Sequence, residues 1–358
     1  MKSPPTAHLF LAALLSTLAS GCSDTAQPLR QSKDGKWRIV WSAQAGDWHT
    51  VPAANIMSDA LDMAGHIDLV FAHSDMMAHA AYVRAQEHGR TEIQYVSIGA
   101  LPSVGRRYLL EGELTATIEY ATCAAPAIDL ALLLCNGVKF HESTRNFELG
   151  TRIWTRETMA SGGRAQVSPD QIALDALRRQ HAGVLTTQPA TDEIFRIGMS
   201  QHTAGAEWQT GNTAEPEWQT LMREDLQAAA GRYPQIEFTY RAAGDVDEQA
   251  GDVREFMAQN YHAILVSPLA GDALTATCRE AIEQGIHIVA MGQEPDPADC
   301  SVFVGNDNEL IGRVAGEEIK KLLPDGGAIV EILGPESSPA VRERDKGFNE
   351  ALGLAPPK

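Results

Sequence analysis

The sequence predicts an α/β protein with two Rossmann-like lobes, each a parallel sheet flanked by helices. Short apolar strands alternate with helices over residues 36–158, and the alternation restarts at residue 193 after a polar interruption at 159–192. Such alternation is typical of parallel sheets that helices cover on both faces. A chain of 358 residues is also long enough for two separate cores.

The N-terminal region indicates export. Lys2 precedes a short apolar run at 9–18, which is too short to span a bilayer and predicts a signal peptide over 1–21. Small residues lead into Cys22, a pattern that resembles the bacterial lipobox and implies cleavage before Cys22 and lipidation of its thiol. An ordinary signal peptide with an incidental cysteine is the alternative. Residues 22–35 are expected to be a polar tether.

Composition narrows the classes of function. The chain is 44% hydrophobic and 21% charged, and its formal net charge is −18. This acidic balance opposes binding to nucleic acid or anionic lipid, whose phosphates need basic partners. Contact with a membrane is expected only through the lipid anchor. No phosphate-binding glycine motif, catalytic triad or metal-ligand spacing stands out, so no enzyme, cofactor or metal is predicted.

The front unit, 36–158, is predicted to contain four strand–helix pairs. Its apolar runs end at polar or glycine-containing turns, which separate each strand from the next helix. The predicted strands are Trp37–Ser42, Ile67–Ala72, Ile93–Ile98 and Thr115–Glu119. The predicted helices are Val51–Met63, Asp75–His88, Val104–Glu111 and Ala125–Leu134.

The linker 159–192 contains one predicted helix, which begins after a plausible N-cap at Ser168 and runs to about Gln180. The back unit, 193–358, resumes the alternation. Its predicted strands are Phe195–Met199, Ile236–Arg241, Ala263–Val266, Ile286–Met291 and Gly327–Leu333. Its predicted helices are Glu217–Ala230, Asp245–Asn260, Ala273–Gln284, Asn308–Leu323 and Pro339–Leu352.

The cysteines beyond Cys22 give no metal-binding spacing. Cys123 and Cys135 flank one predicted helix, which holds them too far apart to bond. Cys278 and Cys300 lie in the same lobe, where an oxidising compartment permits a disulfide. Two buried thiols and one disulfide both remain open for this pair.

The ordered series of strand ends resembles the type I periplasmic sugar-binding proteins, close to the ribose- and galactofuranose-binding members. The back unit resembles the first lobe of that family, through Ile264–Pro268, Gly305–Asn308 and Arg342–Phe348. The front unit resembles the second lobe, through Gly46-Asp47-Trp48, His73-Ser74-Asp75 and Leu114–Ile118.

The resemblance implies one ligand cleft between two lobes that occur in permuted order. Residues 36–158 then correspond to the second lobe and 193–358 to the first, with 159–192 as the new connection. Joining Leu352 to Trp37 restores the usual order, which is the mark of a circular permutation. A truncated piece of a longer tandem protein and a gene-prediction artefact are the alternatives.

The resemblance also implies ligand contacts. Arg344 matches an arginine that forks onto sugar hydroxyls, and Trp48 and Trp218 match aromatic residues that stack on the sugar. Asp307 is expected to cap a helix, and Asp75 is expected to be structural. The predicted ligand-binding set is Trp48, Ser74, Tyr120, Trp218, Gln293, Asn308 and Arg344.

Several positions depart from the family. Gly292-Gln293 stands where the family has Asp-Arg, Gly99 where it has aspartate, Ser74 where it has asparagine, and Tyr120 where it has glutamine. Each lost partner leaves a sugar hydroxyl unpaired at a cost of roughly 1–3 kcal/mol. Ribose itself is therefore not expected. A larger sugar held by stacking, another polar metabolite and lost binding all remain open.

The function implied by the resemblance is that of an exported, lipid-anchored protein that captures a sugar or sugar-like solute. An ABC permease is the expected partner, to which the solute is passed for uptake. A ligand-sensing module for a separate sensor kinase or chemoreceptor is the alternative, and a non-binding descendant is a third. None of these is an enzyme.

Overall fold

The computed structural model describes residues 29–45, 48, 50–141, 144–188, 192–202, 217–267, 272–292 and 299–354. The predictions of a signal peptide over 1–21, of lipidation at Cys22 and of a ligand contact at Gln293 lie outside these residues. Within them the chain forms two sheets with helices packed against them. The predicted α/β class is confirmed.

The strands form an eight-stranded and a six-stranded sheet. In chain order they are β1 (Arg30–Gln31), β2 (Trp37–Gln44), β3 (Leu69–Ala72), β4 (Gln94–Gly99), β5 (Ala116–Glu119), β6 (Asn146–Leu149), β7 (Thr151–Thr155), β8 (Arg164–Gln166), β9 (Phe195–His202), β10 (Ile236–Ala243), β11 (Ala263–Ser267), β12 (His287–Gly292), β13 (Val302–Asn306) and β14 (Gly327–Leu333).

The helices follow the predicted pattern closely, and several begin at side chains that cap them. They are α1 (Thr50–Met63), α2 (Asp75–Glu87), α3 (Gly105–Glu111), α4 (Ala124–Cys135), α5 (Pro169–Gln180), α6 (Glu217–Ala230), α7 (Val246–Ala258), α8 (Asp272–Glu283), α9 (Asn308–Leu322) and α10 (Pro339–Leu352). Ser168 accepts the Gln171 N–H at 3.0 Å, and Asp307 accepts the Leu310 N–H at 2.7 Å. Both predicted caps are confirmed.

The two sheets share one strand order. Their orders are β1-β2-β14-β3-β4-β5-β7-β8 and β10-β9-β11-β12-β13-β6. Counted from β14, the strands β2, β14, β3, β4 and β5 stand in the order 2-1-3-4-5, and counted from β9 the six-stranded sheet begins the same way. This order is typical of doubly wound folds, whose ligands bind beyond the carboxyl ends of the strands.

Each sheet is buried on both faces. In β11, Leu265 packs into one apolar cluster while Ile264 and Val266 pack into another on the opposite face. In β3, Val70 and Leu69 likewise pack into two different apolar clusters on opposite faces of the sheet. Successive residues of a strand point to opposite faces, so continuous apolar runs are what a doubly covered parallel sheet requires.

Sheet membership differs from the division of the chain at residue 193. Strand β14 of the back unit lies inside the eight-stranded sheet, between β2 and β3, and α9 packs on that sheet. Conversely, two elements of the front unit join the six-stranded sheet: β6 pairs with β13, and α4 packs against its face. The apolar pattern of a strand reports that it is buried but not which sheet it joins, so the prediction missed these exchanges.

The structure also differs from the prediction in several strands and in the expected tether. Strands β1, β6, β7, β8 and β13 were not predicted. Strands β1, β6 and β8 lie at sheet edges, whereas β7 and β13 are paired on both sides. Within the expected tether over 22–35, the described residues 29–35 are folded, since Arg30 of β1 pairs with β2 and is only 8% exposed.

The two described ends of the chain meet on the eight-stranded sheet. Ser32 and Leu354 form an antiparallel bridge, and the Lys33 N–H donates to the Gly353 carbonyl at 3.3 Å. Arg30 donates to buried Glu331 and, at 3.1 Å, to Asp345. The residues before β2 are thus fastened to the residues that end α10.

Among the described residues, the four cysteines are thiols that form no disulfide with one another. Cys123, Cys278 and Cys300 are buried, and Cys135 is half-buried. Burial raises the pKa of the Cys278 thiol to about 12. Of the two open possibilities for Cys278 and Cys300, the structure therefore has buried thiols.

Candidate functional site

The candidate site is built around Arg344, which α10 carries into a buried position beside α9. The two helices approach closely because glycine stands at their contact. A Cβ atom at Gly312 would overlap the carbonyl oxygen of Arg344, and one at Gly347 would overlap the carbonyl oxygen of Glu309. Small residues at a helix crossing let the backbones approach, and here that approach sets the position of Arg344.

Arg344 is 4% exposed, and its guanidinium is held by two hydrogen bonds. Its Nε donates to Asn308 Oδ1 at 3.0 Å, and its Nη1 donates to the carbonyl oxygen of His73 at 3.4 Å. Burial lowers the pKa of the guanidinium, and Tyr120 and Glu343 act in the opposite direction. Asn308 in the first turn of α9 and His73 at the carboxyl end of β3 thus fix the orientation of the planar guanidinium.

Aromatic rings surround this guanidinium. Its carbon lies 4.8 Å from the ring centroid of Tyr120 and 5.7 Å from that of Trp48. The Tyr120 and Trp218 rings are 5.8 Å apart, tilted by 40°. Trp48 lies directly on Gly334, where a Cβ atom would touch the indole. Flat rings beside a forked donor are suited to the C–H faces and hydroxyls of a sugar.

Five of the predicted ligand contacts therefore form one connected cluster, namely Arg344, Asn308, Tyr120, Trp48 and Trp218. A sixth, Ser74, caps a helix instead. Ser74 Oγ accepts the Met77 N–H at 3.2 Å and caps α2. Its neighbour Asp75 is buried and accepts hydrogen bonds at 2.6 Å from Ser97 and Thr117. Burial raises the pKa of Asp75 to about 6, although those two hydrogen bonds lower it. The structural role predicted for Asp75 is confirmed.

Two further polar residues at strand ends lie outside the predicted ligand-binding set. His73 is 1% exposed, and neither ring nitrogen has a partner among the described residues. Burial, with the nearby charge of Arg344, holds the pKa of His73 well below its usual range, so the ring is neutral. Gln201, at the carboxyl end of β9, is fully buried with both amide atoms equally unpaired among those residues. A polar residue at the end of an apolar strand was the available signal.

The chain passes between the sheets at three neighbouring places, at 119–124, 149–151 and 306–308. The Asn306 side chain exchanges two hydrogen bonds of 2.9 Å with the backbone of Ala121. The Asp307 N–H donates to the Leu149 carbonyl at 3.1 Å, and Thr151 Oγ1 donates to the Glu119 carbonyl at 2.6 Å. Each crossing is thus tied to the other two, a construction suited to hinge motion between lobes.

The linker adds a fourth passage beside these three. It leaves β8 and enters α5 next to Gly150, where a Cβ atom would overlap the Gln166 carbonyl oxygen. Ser168 Oγ donates to the Glu148 carbonyl at 2.5 Å. The start of α5, within the predicted connection 159–192, is therefore packed against the crossing at 149–151.

A cavity of about 410 Å³ opens between the start of α4 and α6, and the Arg344 cluster is not part of its lining. Thr122 closes one side by donating to Asp225 at 2.6 Å. Within the described ranges, no group of His, Cys, Asp and Glu side chains is arranged to hold a metal ion. No helix in those ranges is both long and apolar enough to cross a membrane.

Comparison with known proteins gives a consistent assignment. The family model of the periplasmic binding protein domain matches residues 210–357. A candidate rhizopine-binding protein of Rhizobium meliloti is 30% identical over 138 residues, which are 37% of this chain and 45% of that protein. The ribose import binding protein of Salmonella typhimurium is 25% identical over 105 residues, 29% of this chain and 36% of that one. The chain thus spans less than half the length of these relatives.

Solved structures of similar proteins match over comparable shares. A fructose-binding periplasmic domain of a hybrid two-component system is 28% identical, covers 44% of this chain and 49% of its own, and has a TM-score of 0.36. A Bacillus halodurans solute-binding protein with bound myo-inositol is 25% identical, covers 46% and 54%, and has a TM-score of 0.37. The family match over 210–357 and the sequence relatives support the resemblance to the type I periplasmic sugar-binding proteins.

Proposed function

We propose that this protein captures a sugar or sugar-like solute in the cleft between its two sheets. The observation that carries the proposal is the cluster of Arg344, Asn308, Tyr120, Trp48 and Trp218, which offers a buried planar donor beside aromatic rings. The family implies export to the periplasm, and relatives are named for ribose and rhizopine. A sugar or a related polyol is therefore the ligand class to test.

The remaining predictions of site and partner are part of the same proposal. Gln293 and Ser74 are proposed to lie on the cleft wall, although the Ser74 hydroxyl already caps α2. Lipidation at Cys22 would hold the protein at the membrane surface, and an ABC permease would receive the solute. Neither a cofactor nor a catalytic residue is required, because capture needs binding and closure alone.

We also infer that the order of the lobes arose by circular permutation. The strand order 2-1-3-4-5 appears in the eight-stranded sheet only when β14, near the end of the chain, is counted first. The bridge between Ser32 and Leu354 places the two described ends side by side, where an uncut chain would continue. On this proposal, 36–158 descends from a second lobe, 193–358 begins with a first lobe, and 159–192 joins them.

A thermal-shift screen of the exported chain against sugars and polyols tests the capture proposal. A bound solute at about 100 times its Kd stabilises the folded state by about 2.7 kcal/mol, which is visible as a raised Tm. Arg344→Ala and Trp218→Ala are expected to weaken the binding of any hit by about ten-fold or more. A screen in which no solute raises the Tm would contradict the proposal.

Arg342→Ala is the matched control for the arginine variant. It removes a guanidinium from the same helix two residues away, but Arg342 is exposed and donates to the carbonyl oxygen of Glu336 at 3.0 Å. Affinity is expected to stay unchanged in this variant. Equal loss in both arginine variants would show that charge on α10, and not the buried fork, supports binding.

A further inference from the structure

The charge environment of Arg344 sets it apart from the other buried arginine of the eight-stranded sheet. Arg30 pairs with the carboxylates of Glu331 and Asp345. The hydrogen bonds of Arg344 instead run to neutral acceptors, an amide oxygen of Asn308 and a backbone carbonyl. Among the described residues, no carboxylate lies within ion-pair distance of Arg344, whose hydrogen bonds use Nε and Nη1.

The ends of neighbouring strands do not supply the missing charge. Gly99 ends β4 with φ of 145°, and Gly292 ends β12 with φ of 81°. Both conformations favour glycine over any residue with a side chain. At Gly99 a Cβ atom would also overlap the carboxylate of Asp75. The backbone at these two strand ends is therefore built without the acidic side chains that the resemblance leads one to expect.

A buried cation without a counter-charge is costly. Taking a guanidinium out of water is offset only when an opposite charge or strong hydrogen bonds replace the water. The carboxyl groups of Glu343, Asp345 and Asp75 do not serve this purpose. Glu343 is exposed, so water screens its charge toward Arg344. Asp345 pairs with Arg30, and Asp75 Oδ1 accepts hydrogen bonds from Ser97 and Thr117. The charge of Arg344 is thus available to a ligand.

The geometry around Arg344 suits a carboxylate. With Nε and one position of Nη1 already engaged, the outer edge of the guanidinium remains as a planar fork, which matches the two oxygens of a carboxylate. Tyr120 and Trp48 flank this group with their ring centroids 4.8 and 5.7 Å from the guanidinium carbon, so a ligand that reaches it meets flat apolar faces. His73, beside it, is neutral because its pKa is held low. One positive charge is matched by one carboxylate better than by a phosphate dianion.

We propose that the cleft takes a sugar acid, whose carboxylate pairs with Arg344 while its carbon skeleton lies against Tyr120 and Trp48. This inference rests on the proposed function, since it names the ligand class of the same cleft. It explains why a site that lacks acidic side chains at Gly99 and Gly292 keeps a buried arginine. The acid would supply the negative charge that the described residues do not place beside Arg344.

Matched pairs of neutral sugar and sugar acid test the proposal on the full exported chain by isothermal titration calorimetry. D-galacturonate is compared with D-galactose, and D-glucuronate and D-gluconate with D-glucose, with D-glucose 6-phosphate as a dianionic probe. In at least one pair we expect the acid to bind about ten-fold or more tightly than its neutral partner. The preference should persist at moderate salt, because a buried pair is screened less than an exposed one.

Substitutions of Arg344 test whether this side chain causes the preference for the acid. Arg344→Gln should bring acid and neutral sugar within about two-fold of each other, and Arg344→Lys should recover only part of the preference because it lacks the fork. Arg342→Gln should keep the wild-type preference. Should Arg344→Gln fail to fold, the wild-type pairs alone still decide.

Each outcome bears on one claim. Neutral sugars that bind as tightly as their acids would overturn the sugar-acid inference and leave the capture proposal standing. Tighter binding of the phosphate than of any carboxylate would also overturn it. If no probe of either kind binds, the capture proposal itself fails.

Discussion

Arg344 and Arg342 show how much the setting of a residue decides. They lie two positions apart on one helix, yet the first is buried among aromatic rings and the second is exposed. Their separation on the helix, about 200° apart at 3.6 residues per turn, explains the contrast. The sequence motif singled out Arg344, but its partner His73 came to light only through a backbone carbonyl, which no side-chain pattern reveals.

Glu331 gives a residue-scale prediction for pH dependence. Burial raises the pKa of Glu331 to about 7, although Arg30 beside it lowers that pKa. Because its folded pKa lies above its unfolded one, its stabilising contribution is full below about pH 4.5 and is lost as pH rises through about 7. Glu331→Gln should therefore reduce the fall in unfolding free energy between about pH 5 and pH 8, by up to about 3 kcal/mol.

Urea unfolding at the two pH values measures this effect. Glu336→Gln, on an exposed turn after the same strand, is the control and should retain the wild-type difference. Asp75, whose pKa is raised to about 6, contributes a loss of the same sign at lower pH, which both variants share. An unchanged difference in Glu331→Gln would contradict the assignment.

At the scale of elements, the contact between α9 and α10 connects packing with binding. Gly312→Ala places a methyl group against the Arg344 carbonyl oxygen and should force the helices apart. We expect a loss of about 1–3 kcal/mol in unfolding free energy, as overpacked contacts typically cost. Ligand affinity should fall as well, because Arg344 moves with α10.

Gly251→Ala on α7 is the matched control for this helix glycine. No atom lies within 4 Å of a Cβ built there. Alanine is the better helix former, so this variant should gain roughly 0.5–1 kcal/mol and bind as the wild type does. Thermal unfolding with and without a bound probe separates the two effects. Equal stability of the two variants would argue against a tight contact at Gly312.

The molecule as a whole offers a test of the proposed permutation. Residue 358 is joined to residue 29 through a short Gly/Ser linker, and new ends are opened after Gln188. Because Ser32 and Leu354 already pair, this chain should fold with the wild-type circular dichroism spectrum and Tm within a few degrees. Opening the same joined chain at Leu130, inside buried α4, should prevent folding. If the variant opened after Gln188 does not fold, the two ends joined in it were not neighbours in an ancestral chain, and the proposed permutation is contradicted.

The sequence alone determined the local elements and the chemistry that they carry. Helix Glu217–Ala230, strand Gly327–Leu333 and helix Pro339–Leu352 have the predicted bounds, because periodic burial and capping are local properties. The family motif likewise singled out Arg344 and the rings around it. Only the tertiary structure decided that β14 inserts between β2 and β3 and that Arg344 meets the His73 carbonyl. Both depend on pairing between residues far apart in the chain, and an apolar run is the same whichever sheet it enters.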